Sequence, residues 1–548
     1  MSLKPSVIEP VPEQTARVAR AAFPKGNLYI SIRDQLGTLF EDADFTSLYP
    51  KRGQPAFAPW RLALITIMQF LENLSDRQAS DAVRSRIDWK YVLSLELTDA
   101  GFDHSVLSNF RERLTVGGQS ALLLDRVIEM LKEKNLLKVR GKQRTDSTHV
   151  LAAIRVMNRL ELVTETMRAA LNELAAVSPI WLSSIALPEW FARYGARIED
   201  TRLPRSETAR EEFARQVGED GFDLLEQLLK QQPELLKLEA IETLQKVWQR
   251  HYTRREDGEV NWRPTAELER AATAIESPYD TEARFSTKRD LSWTGYKVHV
   301  SETCDADLPR LITNVLTTTA TEQDVACTTL IHQSLERNQR LPSRHFVDAG
   351  YIDAGLLVES PALYGVELFG PTRLNPSWQS RSGGFDQAQF QIDWNDQTAV
   401  CPEGRSSVYW YEHQTNERYS RPVVTVRFNR KDCRDCTNRD KCVKSKSGAA
   451  RSLNLPPRPL YEALETTRNL LLSEDGRREY KNRAGIEGTL SQAVRRGSFR
   501  RSRYRGMQKT HLQEVATATG INLLRTINFL NDQPIAKTRT SRFAKLAP

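Results

Sequence analysis

Residues 477–509 read RREYKNRAGIEGTLSQAVRRGSFRRSRYRGMQK. Tyr480, Arg483 and Glu487 are spaced i, i+3, i+7, which places them on one face of a helix. After Glu487 come seven basic residues (Arg495, Arg496, Arg500, Arg501, Arg503, Arg505 and Lys509) with no acid before Glu514. A carboxylate beside a dense cationic strip suits a metal-dependent enzyme acting on a polyanion. Arginines neutralise phosphates, and the interleaved Phe499 and Tyr504 can stack on bases; the bland alternative is a solvated loop. Gly485 and Gly488 flank Glu487. Glycines weaken a helix, so they either admit a strand or a DNA backbone at close range or mark a frayed end.

Working outward, 548 residues suffice for several domains. Hydrophobic content of 40% and charged content of 27% are those of an ordinary folded protein. No run of about 18 apolar residues predicts a membrane span. The start, MSLKPSVIEPVPEQ, has no apolar core of a secretory signal. Six cysteines in this length are no disulfide scaffold, so a reducing, cytoplasmic setting is expected. A net charge of +8 favours an anionic partner.

Residues 1–27 hold four prolines and read as a loose arm. Residues 28–137 read as helical. PWRLALITIMQFLENLSD starts with Pro59 in a first turn and predicts a buried stripe including Leu62, Ile65 and Leu71. Shorter helices follow, carrying Arg84, Arg86, Arg111 and Arg113: either a helix-turn-helix-like DNA reader or a bundle with a charged outer face. From residue 138 to 531 the expectation is an α/β core on one sheet. RTDSTHVLAAI, WTGYKVHVSE, PRLITNVLTTTA, SRHFVDAG and YGVELFGP read as its strands. A helical insertion spans 155–275 and a Gly-, Ser-, Arg- and Cys-rich one spans 372–455. Helices are predicted over about 459–496 and 511–531, and residues 532–548 form a basic tail.

Asp146 falls inside one predicted strand and Asp348 at the end of another. An acid within an apolar strand is costly unless paired or bound to metal. Alone, each reads as a turn cap or an arginine partner. With Glu487 they make a three-carboxylate set that would hold two divalent cations, and hard oxygen donors suit Mg²⁺ or Mn²⁺. Asp324 and Asp353 read as a helix N-terminal acid and a turn residue. His149 and His299 read as packed or hydrogen-bonded. Arg284, Lys288 and Arg289 are candidate phosphate contacts.

TDSTHV, FVDAGY and Tyr-x2-Arg-x3-Glu, in that order, resemble the three acidic motifs of DDE transposases of bacterial insertion sequences, in the branch with the Tyr–Arg–Glu signature. ARFSTKRDLSWTGYKVHVSE resembles the family's strand pair. LSDRQASDAVRSRIDWKYVLSL and DHSVLSNFRERL resemble its N-terminal helical domain. The resemblance implies an RNase H-like mixed-sheet catalytic core with two insertions, behind an all-α N-terminal domain. It implies a catalytic triad of Asp146, Asp348 and Glu487, with Tyr480 and Arg483 beside the DNA. It also implies nicking of transposon ends, followed by attack of the freed 3′-hydroxyl on double-stranded target DNA, with a homodimer as the natural synaptic unit. One departure stands out: where the family signature has Lys seven residues after the Glu, this chain has Val494, followed by Arg495.

Cys401, Cys433, Cys436 and Cys442 are spaced C-x31-C-x2-C-x5-C in the second insertion. The set is compatible with a structural tetrahedral Zn²⁺, the alternative being free thiols in a β-rich insertion. Cys304 and Cys327 read as small core residues.

Overall fold

The computed structural model describes residues 2–268, 272–373, 377–415, 420–445, 449–534, 542–543 and 546. The basic tail expected from residue 532 lies largely outside them. The expected loose arm is instead partly folded. Glu13–Ala22 forms a helix after Pro12. Its Thr15 hydroxyl donates to the Leu95 carbonyl at 2.8 Å, and Ala19 packs with Ile30 and Tyr91. Helix α1 (Pro59–Leu71) begins at its proline, as predicted, but nearly every one of its side chains is buried rather than a single stripe. A helix apolar on all sides is one enclosed on all sides.

The core is a six-stranded mixed sheet. Its strands are β1 (Arg140–Leu151), β2 (Arg284–Lys288), β3 (Leu291–Thr303), β4 (Ile312–Thr319), β5 (Pro342–Phe346) and β6 (Glu367–Phe369). β3 pairs antiparallel with β1, β2 and β4, whereas β5 runs parallel to both β1 and β6. In the antiparallel half a two-residue turn joins β2 to β3 and a short loop joins β3 to β4, whereas β1 reaches β2 only through a long insertion. The parallel half needs crossovers, and α2 (Asp324–Arg337) and α3 (Ala354–Tyr364) supply them. This order, behind a helical N-terminal region, is consistent with a DDE transposase core of RNase H-like type.

Two further units stand outside this sheet. Between β1 and β2, five helices and a small hairpin enclose their own apolar cluster around Trp190, Leu224, Leu244 and Trp248. After β6, strands β7 (Ser407–Gln414), β8 (Pro422–Phe428) and β9 (Ser452–Leu455) form a separate antiparallel sheet. The single helix predicted over 459–496 is broken. Arg458–Leu472 ends at Ser473, whose backbone is extended and whose hydroxyl accepts from the Gly476 N–H at 3.0 Å to cap Glu474–Tyr480. A 3₁₀ turn, Lys481–Ala484, then leads into α4 (Gly485–Gly497).

The last helix, α5 (Met507–Leu530), decides how the parts join. Its buried residues Leu512, Val515, Ala518 and Ile521 belong to one apolar cluster that also holds Ile65 and Phe70 of α1, Leu123 and Val127 of the N-terminal region, and Val298 and Val300 of β3. The N-terminal helices and the sheet therefore share a core, where the sequence suggests two separate domains.

Candidate active site

The parallel pairing of β1 and β5 sets Arg144 opposite Phe346. Asp146, within β1, and Asp348, just past the end of β5, each lie two residues beyond that pair, and the Asp348 charge acts on Asp146. Side chains two apart share a face, so Asp146 emerges on the side of Arg144. That side faces the Tyr480–Gly497 segment, because the Arg144 guanidinium donates to the Asn482 carbonyl. Asp348 Oδ1 accepts from the Gly350 N–H at 2.8 Å, and Asp146 Oδ1 from the Ser147 N–H at 2.8 Å.

Tyr480 and Arg483 converge on this pair. The Tyr480 hydroxyl donates to the carbonyl of Val347, the residue before Asp348, at 3.2 Å. Arg483 Nε donates to that hydroxyl at 3.1 Å, and its Nη1 lies 3.1 Å from Asp146 Oδ2. Burial pushes the Asp146 carboxyl above the usual range; Arg483 and the Ser147 N–H oppose the rise, and the nearby Asp348 charge adds to it. Burial disfavours the Arg483 cation, yet Asp146, Tyr480 and Asp348 hold it above its ordinary value. Asp146 thus keeps the Arg483 guanidinium as its counter-charge, and the Asp348 charge adds to the field that holds it.

The third acid stands apart. Glu487 is exposed on the first turn of α4 and makes no hydrogen bond or ion pair among the described residues. Among the described residues, no three or more His, Cys, Asp or Glu side chains stand in metal-ligating geometry. What fixes α4 beside the aspartates is a buried network that sequence reasoning missed. Glu302 of β3 is fully buried, at 2.5 Å from Arg144 and 2.8 Å from Arg525. Thr489 of α4 donates to Glu302 at 2.5 Å, and Arg525 of α5 donates to Thr489 at 2.7 Å. Burial would raise the Glu302 carboxyl, but Arg525, Arg144 and Thr489 hold it below the usual range. Gly485 has its explanation here, since a Cβ there would collide with the Arg144 guanidinium. Gly488 has open space around it.

Of the neighbouring acids, Asp324 takes the role read for it, whereas Asp353, read as a turn residue, is a helix cap. Asp324 opens α2 and pairs with Lys297 at 3.2 Å. Asp353 caps α3 by accepting from the Leu356 N–H at 2.8 Å. His299 is fully buried and bonded to the Tyr351 hydroxyl at 2.6 Å, its imidazole pushed down to about 4 by burial. His149 lies against Trp293. Burial pushes both the Cys304 and the Cys327 thiols up to about 12; Cys327 lies in the core as read, whereas Cys304 is half-buried outside the apolar clusters.

The basic strip divides. Arg495, Arg496, Arg500, Arg501, Arg505 and Lys509 are exposed. The chain at Arg500 and Ser502 bonds to Leu151 at the end of β1, and Arg500 Nε donates to Thr148 at 2.9 Å, which sets the strip beside Asp146. Arg505 lies over the Tyr279 ring. Arg503 differs: it donates to the Leu74 carbonyl and to Asn73, and lies over the Phe70 ring. Phe499 is fully buried and so cannot stack on a base; Tyr504 packs against Phe70 and under Arg111. Val494 packs on the core, which an ammonium could not do, and Arg495 takes the exposed position next to it.

The N-terminal arginines are also largely engaged. Arg111 is buried and paired with Asp76 at 2.6 Å. Arg86 pairs with Glu72 and, at 2.6 Å, with Asp88. Arg113 donates to the Leu48 carbonyl at 3.1 Å, and Arg84 is 3.4 Å from Asp81. The reading as a DNA-reading face loses Arg86, Arg111 and Arg113 to internal contacts, whereas Arg84 stays exposed. Among the described residues, no helix is long and apolar enough to cross a membrane. In the second insertion, Cys401, Cys433, Cys436 and Cys442 line one cavity of about 30 Å³.

Two family matches bear on these observations. Residues 400–527 match the transposase DDE domain, and residues 17–113 match the transposase domain (DUF772). The first match contains Tyr480, Arg483 and Glu487, whereas Asp146 and Asp348 lie outside both. No curated protein and no solved structure matches the chain. The two matches, one towards each end of the chain, indicate a DDE transposase of the insertion-sequence type.

Proposed function

We propose that this transposase binds transposon ends, cleaves DNA phosphodiesters there, and joins the freed 3′-hydroxyl to target DNA. The observation that supports the reading is the proximity of Asp146 and Asp348 at the ends of parallel neighbours, with Arg483 as counter-charge to Asp146. DDE transposases generally use divalent metal ions. The donor chemistry here fits: two shielded carboxylates whose mutual repulsion a cation relieves. Asp146 and Asp348 would hold Mg²⁺ or Mn²⁺, with Glu487 as the third acid and two ions as the complement. Held there by those carboxylates, such ions would supply activation of the attacking water or hydroxyl and stabilisation of the leaving oxygen.

The chain's own groups set the rest. Arg483, tied through Tyr480 to the Val347 carbonyl, holds positive charge at the point where phosphate charge builds up. The exposed arginines of the strip hold the DNA backbone against the sheet edge. Two copies of the chain bring two ends together.

A plasmid bearing the element's terminal repeats, incubated with the full chain and Mg²⁺, tests the reading. Joined products support it. Cleavage without joining supports an RNase H-like nuclease, and binding alone a regulator derived from a transposase. Converting Arg495, Arg496 and Arg501 to Gln is expected to weaken DNA binding. The slope of log affinity against log salt should fall by roughly 0.9 for each phosphate no longer neutralised. Fluorescence anisotropy over a salt series measures it, and an unchanged slope returns the strip to a solvated loop. Arg503→Gln is expected to lower stability instead, since Arg503 serves α1 and its C-terminal turn.

A further inference from the structure

We infer that the second insertion is a metal-stapled module: Cys401, Cys433, Cys436 and Cys442 bind one Zn²⁺ through four thiolates and clamp three otherwise loose pieces of chain together. The thiols come from separate elements. Cys401 follows the short strand Thr398–Val400, Cys433 sits in the helical turn Arg430–Arg434, Cys436 follows it, and Cys442 ends the helical turn Arg439–Cys442. Yet all four line a single cavity, walled by Phe385, Phe390 and Phe428.

The need for a staple is physical. The apolar core of this insertion consists of Phe390, Ala399, Val424, Val426, Phe428, Leu453 and Leu455. A core that small rarely holds a fold without a disulfide or a metal. Helical turns of five and four residues do not persist by themselves.

The Cys401 turn already has the form that a bound thiolate uses. Residues 401–405 read CPEGR, with Gly404 in the left-handed region at φ +76°. The Cys401 N–H donates to the Arg405 carbonyl and the Gly404 N–H to the Cys401 carbonyl, each at 2.9 Å. The turn aims the Arg405 N–H at Cys401 Sγ, 3.3 Å away. Backbone N–H bonds of this kind orient a ligating sulfur.

As placed, the sulfurs surround the cavity without closing to ligand geometry. Zinc binding would bring each sulfur to about 2.3 Å from the ion. Sulfur donors with no acid among them select Zn²⁺ over the hard cation expected at Asp146 and Asp348. The staple is independent of what those aspartates do.

Full-length protein purified in a phosphine reductant, so that disulfides do not compete, is expected to carry one zinc per chain by elemental analysis. Exchange with Co²⁺ should give a sulfur-to-cobalt charge-transfer band and tetrahedral visible bands. Cys433→Ser and Cys436→Ser should each lose the bound zinc; because either variant can fail to fold, the Co²⁺ spectrum of the wild-type chain decides alone. Wild-type protein with well under one zinc per chain and no charge-transfer band with added Co²⁺ overturns the inference, as does a Cys433→Ser variant that keeps both signals.

Discussion

Asp146→Asn and Asp348→Asn are each expected to lower end cleavage by roughly three orders of magnitude or more, the scale of losing one member of a catalytic unit. The substitutions keep shape and remove charge. The amide oxygen of the first variant still accepts from the Ser147 N–H, and that of the second from the Gly350 N–H. Burial already opposes the charge on Asp146, so its loss costs little stability beyond the Arg483 interaction. Binding of end DNA should therefore persist while cleavage stops. Parallel gel cleavage and anisotropy assays measure both, and a variant cleaving within about tenfold of wild type would remove that aspartate from the centre.

The second large effect is on stability. Glu302→Ala leaves the guanidinium groups of Arg144 and Arg525 without their shared partner. Breaking one side of a buried ionic network costs about 3–5 kcal/mol. Glu302→Gln keeps a hydrogen-bonding oxygen for Thr489 and should cost less. The network also makes stability pH-dependent. The Glu302 carboxyl lies below its unfolded value, so its contribution is complete above the ordinary glutamate range and disappears as pH falls through the depressed folded value. Urea unfolding of wild type and Glu302→Ala at neutral and acid pH should show the gap narrowing in acid. A Glu302→Ala protein within about 1 kcal/mol of wild type at neutral pH would show that the network does not brace α4. The same variant should also lose cleavage, because Thr489 links α4 to the sheet through Glu302.

Much of the core is legible locally. Alternating Tyr296, Val298 and Val300 predict β3, and an acid inside TDSTHV marks Asp146 because a strand interior tolerates a carboxylate only with a partner. That partner, Arg483, lies more than three hundred residues away, and its motif marks it only as a neighbour of the DNA. What the sequence hides are such long-range pairings. Arg86 and Arg111 look like DNA-facing charges until packing delivers Glu72, Asp88 and Asp76 to them. Phe499 looks like a stacking ring until the turn after α4 buries it. The shared core of N-terminal helices and sheet depends on α5, which reaches α1 from the far end of the chain. One missed feature does have a local signal: Ser473 followed by Glu474 and Asp475 is a helix start inside what reads as a continuous helix.

Glu487 separates the proposed centre from a pair of aspartates with a neighbouring surface acid. The decisive measurement is strand joining by pre-cleaved ends. A duplex carrying the terminal repeat with a free 3′-hydroxyl is incubated with plasmid target, Mg²⁺, and either wild-type protein or Glu487→Gln. Wild type is predicted to give joined product from the 3′-hydroxyl end and none from a 3′-deoxy end, and Glu487→Gln to bind the duplex but join nothing. Joining by Glu487→Gln at the wild-type level, or none by wild type from either end, would contradict the account.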